Sequence, residues 1–68
     1  MTTDDDRHLA RYRDARTTAL FRLDMIARGA QLTYEDGTPI DMASEKARLE
    51  AIVADMDRRI RALEERAT

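Results

Sequence analysis

The chain has 68 residues, 43% of them apolar, a net charge of −2 and no cysteine. One small domain is the most such a chain can form, and it buries a modest share of its surface, so a partner or self-association is expected to complete the fold. The missing cysteines exclude disulfides, thiolate nucleophiles and thiolate zinc sites. No apolar run approaches a membrane span, and MTTDDDRH is the opposite of a basic secretory start, which reads as a soluble protein made in the cytoplasm.

The first predicted element is a helix over about 5–28. Asp4, Asp5 and Asp6 stand at its positive end as cap and dipole partners, and Gly29 after Arg28 reads as a left-handed stop. At 100° per residue, Leu9, Tyr12, Ala15, Ala19, Leu20, Leu23, Ile26, Ala27 and Ala30 gather on one broad face. Phe21 and Met25 project to the other side, four residues apart and therefore neighbours. An exposed Phe–Met pair is a candidate docking patch for a neighbouring subunit.

The connector LTYEDGTPIDM, residues 32–42, carries the only proline and one of two glycines. Its turn lies at Asp36-Gly37, and two registers compete. A two-residue loop pairs Thr33 with Ile40 and splits the apolar residues between two faces. A three-residue loop, Glu35-Asp36-Gly37, pairs Tyr34 with Thr38 and Leu32 with Ile40, so that Leu32, Tyr34, Ile40 and Met42 share one face. The second register also suits a type I turn followed by a left-handed Gly37. A β-hairpin over about 31–42, its apolar face laid on the helices, is therefore expected.

A second helix follows over about 44–66, capped by Ser44 or Asp41. Leu49, Met56 and Leu63 repeat every seven residues, with Val53, Ile60 and Ala67 interleaved and Ile52 beside them, a seam made for another helix. Its polar face offers the pairs Asp55–Arg59 and Asp57–Arg61. The expected fold is α+β: two antiparallel α-helices joined by a short β-hairpin packed against them, in one domain over residues 1–68.

Chemistry-bearing groups are sparse. His8 and Asp4 are four apart, too few ligands for a metal site, and Ser44 has no histidine near it in sequence. Gly29 and Gly37 are isolated, so there is no phosphate loop. The reading is no catalytic residue, no metal, no cofactor and no enzyme. Basic residues are eleven Arg against one Lys, and Arg58, Arg59 and Arg61 cluster on one turn. Asp55, Asp57, Glu64 and Glu65 surround that cluster and no aromatic is interleaved, which argues against nucleic-acid recognition. The same arginines suit an acidic protein surface.

The helix ending in RGAQLTY, the turn EDG, the return TPIDMAS and the seam LEAIVADMDRRIRAL together resemble the small head-completion (head–tail joining) proteins of tailed phages, the lambda protein W family. The resemblance runs from about Leu9 to Leu63. It implies a structural protein of the virion neck, made in the host bacterium. Copies form a ring on the portal after packaging, help retain DNA and receive the next neck or tail protein. It further implies that the hairpin and helix faces are contact surfaces. The lambda type carries a basic C-terminal extension, whereas the sequence here closes on EERAT, so contacts made by such a tail are expected to fall to helix 2 or the acidic N-terminal region.

Overall fold

The structure, a computed structural model, describes residues 3–67. Helix α1 spans Thr3–Ala27 and helix α2 spans Met42–Ala67. At 1.5 Å per residue each is about 38 Å long, and the molecule measures 45 × 20 × 16 Å. It is a rod made of two helices lying side by side. They run antiparallel, since Asp5 pairs with Arg66 near one end while Arg16 meets Asp57 further in.

Capping explains where each helix stops. Gly29 has a φ of 93°, its N–H donates to the Ile26 carbonyl, and the Ala30 N–H donates to the Met25 carbonyl. This is a Schellman turn, which needs a residue free to take positive φ. Arg28 follows the last helical residue and pairs with Asp24 at 2.9 Å. At the start of α2, Asp41 is the cap: its carbonyl accepts from the Glu45 N–H, and its carboxylate accepts from the Ser44 hydroxyl at 2.6 Å. Asp4, Asp5 and Asp6 lie inside the first turn of α1, where they oppose the dipole but do not cap.

The expected α+β class is overturned, because no strand exists among the described residues. The connector holds one isolated antiparallel bridge, Thr33 with Pro39, and the fold is a two-helix hairpin. The local pairing follows the three-residue loop: Tyr34 donates to Thr38, Ile40 donates to Leu32, Gly37 donates to Tyr34, and Gly37 has a φ of 88°. What fails is propagation. A second ladder bond at Leu32–Ile40 would join the Leu32 N–H to the Ile40 carbonyl. That N–H points instead to the Met42 sulfur, and that carbonyl accepts from the Gln31 side chain. At Tyr34–Thr38 the Thr38 N–H is taken by the Asp36 carboxylate at 2.9 Å. Side chains thus claim the groups that would extend the ladder. Met42, placed at the end of the hairpin by its pattern, is instead the first residue of α2.

The core is a single seam. Among the described residues, Leu9, Ala19, Leu49 and Leu63 are the buried apolar side chains. Tyr12, Leu23 and Ile26 of α1 and Ile52, Val53, Met56 and Ile60 of α2 are half-buried around them, joined by Leu32, Ile40 and Met42 from the connector. The expected inward face of α1 is too broad. Ala15 and Ala27 are exposed and Leu20 is 40% exposed, because one partner helix cannot cover so wide an arc. The side chain of Ala67 lies outside the described ones. Tyr34, expected on the hairpin's inner face, is 59% exposed: a loop closed by one bridge makes no sheet face to lay on the helices.

Candidate interaction surface

Two kinds of surface flank the seam, and they divide the rod lengthwise. Toward the chain ends, charged contacts tie the helices together. Arg16 pairs with Asp57, Arg13 reaches Glu64 at 3.7 Å, and Arg66 reaches Asp5 at 3.4 Å. On the other side of this half, the His8 and Tyr12 rings stack with centroids 6.0 Å apart, and the Arg59 guanidinium lies 5.4 Å from the Tyr12 ring. Arg59 is held above its ordinary pKa, first by a hydrogen bond with the Tyr12 side chain and then by Asp55.

The arginine cluster is partly occupied by its own helix. Asp55 accepts from Arg58 at 2.9 Å and from Arg59 at 3.0 Å, and the two arginines hold its carboxyl below its usual value, Arg58 foremost. Arg61 is exposed and makes no ion pair among the described residues. The expected Asp57–Arg61 pair is not formed, because Asp57 faces the seam and turns to Arg16. Spacing alone missed these cross-helix pairs. Arg13 and Arg16 flank the α1 stripe as Asp57 and Glu64 flank that of α2, the arrangement expected of charges beside a helical seam.

Toward the connector, apolar groups are left uncovered. Phe21 is 63% exposed, on the side of α1 away from α2. Met25, expected beside it, is half-buried, where residues 28–30 fold back and the Ala30 N–H meets its carbonyl. On another face a groove of ≈ 390 Å³ runs between the helices, floored by Ala15, Thr18, Ala19, Leu49 and Ile52 and rimmed by Arg11, Asp14 and Arg22. Next to it a depression of ≈ 570 Å³ is bounded by Leu32, Tyr34, Ile40 and Arg48. Arg48 is bound to Glu45 at 2.5 Å and lowers its pKa.

The remaining candidates for chemistry sit apart. His8 stacks near one end of the rod, while the Ser44 hydroxyl is engaged with Asp41 near the other. Among the described residues no group of three or more His, Asp or Glu is placed to hold a metal ion. No described helix is long and apolar enough to cross a membrane. Comparison with known protein families, with curated proteins and with solved structures finds no match to the chain.

What this surface offers is contact area. An open groove, a protruding aromatic ring and a charge-clamped opposite half give a partner shape and polarity to read.

Proposed function

We propose that the chain is a structural head–tail connector of a tailed phage or phage-like particle. It sits with other copies on the portal protein, helps retain the packaged DNA and presents a surface to the next neck or tail protein. The observation that carries this reading is the thin core: a rod with four buried apolar side chains among the described residues leaves Phe21 and Tyr34 in water. Such a chain gains most of its remaining apolar burial from neighbours. The seam LEAIVADMDRRIRAL and the antiparallel order of two helices support the same reading through the likeness to head-completion proteins, whose β-hairpin is not formed among the described residues.

The test is binding to the portal protein encoded beside this chain's own gene. The expected result is a ring of copies on the assembled portal, seen by electron microscopy, and particles that leak DNA when the chain is omitted. Intact, tailed particles without it would sink the reading.

A second reading is a small intracellular interaction module, a helical dimerising or antitoxin-like regulator. The bare two-helix hairpin favours it, since such hairpins pair readily into four-helix bundles. A two-chain species that persists on dilution to nanomolar concentration, with no affinity for a portal, distinguishes it from the first.

A further inference from the structure

We infer that the segment between the helices takes an extended stretch of another protein along its Gln31–Glu35 edge, main chain to main chain. Apolar side chains of that stretch lie in the depression bounded by Leu32, Tyr34 and Ile40. This goes beyond the connector reading, because it names the form of a bound partner and holds with or without a portal.

Backbone hydrogen bonding carries the inference. The Tyr34 N–H donates to the Thr38 carbonyl, while the Leu32 and Tyr34 carbonyls accept from the Ile40 and Gly37 N–H groups. The Leu32 N–H is turned to the Met42 sulfur. Across a trans peptide the C=O and the N–H point in opposite directions. The Gln31 C=O, the Thr33 N–H, the Thr33 C=O and the Glu35 N–H therefore all face away from the return segment. None of them has a hydrogen-bond partner among the described residues. Acceptor, donor, acceptor, donor, in that order, is the unpaired edge that an added strand completes. The opposite edge is closed by Pro39, which stands across the bridge from Thr33 and has no N–H to give.

The neighbouring side chains decide what the added stretch must carry. Residues flanking the one paired with Thr33 point to the face shared by Leu32 and Tyr34. That face opens on the depression of ≈ 570 Å³, whose wall Ile40, Arg22, Glu45 and Arg48 complete. Tyr34, 59% exposed, leaves a ring there for an apolar side chain to cover. The matching partner is an extended chain with apolar residues at alternate positions. A second copy fits less well, because its Leu32 and Tyr34 already line its own depression.

An NMR titration of the full chain tests this, with a synthetic peptide alternating threonine and valine between terminal lysines. The Thr33 and Glu35 amide resonances should shift and their hydrogen exchange slow about tenfold or more, with half-saturation at about 1 mM or below. With valine in the depression, the threonine nitrogens of the peptide face the chain. Methylating those nitrogens should weaken binding about tenfold or more, whereas methylating the valine nitrogens should leave it unchanged. Thr33→Pro removes a central donor of the edge at a position that makes no hydrogen bond within the chain. It should keep helicity by circular dichroism and lose about tenfold or more in peptide affinity, while Thr33→Val binds like wild type. If Thr33→Pro loses helicity, the two methylated peptides, which probe the wild-type chain, decide alone. Equal binding of those two peptides, equal binding by folded Thr33→Pro and wild type, or no shift at about 5 mM peptide overturns the inference. So does a Thr33 amide already protected in the free chain by a second copy. A chain that fails here and still forms a ring on its portal leaves the connector reading standing.

Discussion

Arg16 of α1 reaches across the seam to Asp57 of α2, and both side chains remain 42% exposed. A pair so placed sets the helices' register more than it adds stability, because water and salt screen it. A double-mutant cycle on Arg16→Ala and Asp57→Ala should give a coupling of about 0.5 kcal/mol at low salt, shrinking in 1 M NaCl. Coupling above about 2 kcal/mol would mean the pair is far better shielded than its exposure indicates.

Leu49 is 1% exposed, the most deeply buried of the seam's described apolar side chains. Leu49→Ala should destabilise by about 2–5 kcal/mol, enough to unfold much of so small a protein, as read from urea denaturation. Phe21→Ala should change monomer stability by no more than about 0.5 kcal/mol. Comparable losses in the two would show Phe21 to be part of the core.

Gly29 and Gly37 both have positive φ, and a methyl group at either would meet nothing within 4 Å. Any penalty is therefore conformational and not steric. Gly29→Ala and Gly37→Ala should each lose about 1–2 kcal/mol, with Asn at either position losing less because it tolerates that region. Thermal melts of the four variants check this ordering.

Acid should weaken the hairpin at its turns and caps. Asp41 is held below its ordinary pKa of 3.8, mainly by the Ser44 hydroxyl, and Asp36 likewise by hydrogen bonds from Thr38. A carboxyl with a lowered folded pKa contributes its full stability above the unfolded value and loses it as pH falls through the folded one. Melting temperature should therefore hold above about pH 4.5 and decline below about pH 4. Asp41→Asn keeps the cap and should lose less on acidification, while Asp41→Ala should melt lower at neutral pH. Equal acid sensitivity in Asp41→Asn and wild type would remove Asp41 from the account.

The helices were legible because their signals are local. The heptad Leu49–Met56–Leu63 forecasts the seam and Gly29 marks the end of α1, while the start of α2 was left between Ser44 and Asp41 until the structure placed the cap at Asp41. The turn was equally local: Gly37 and the apolar spacing select the three-residue loop, and its hydrogen bonds fall there. The β-hairpin was not, because strand formation depends on where every backbone group finds its partner. Gln31, Asp36 and Met42 take partners that the alternating pattern leaves for the ladder. Tyr34, inward by pattern, ends up in water for the same reason.

By itself the sequence determined two amphipathic helices, the glycine stop of α1 and a tight turn between the helices, since helical period and glycine act within a few residues of one another. Only the tertiary structure decided which charges meet and what stays uncovered. Asp57 chose Arg16 on the other helix over Arg61 on its own, whereas Asp55 paired with Arg59 as its spacing forecasts. A single seam hides only the arc that its one partner helix can cover, which leaves Phe21 and the groove beside Ala15 open to another chain.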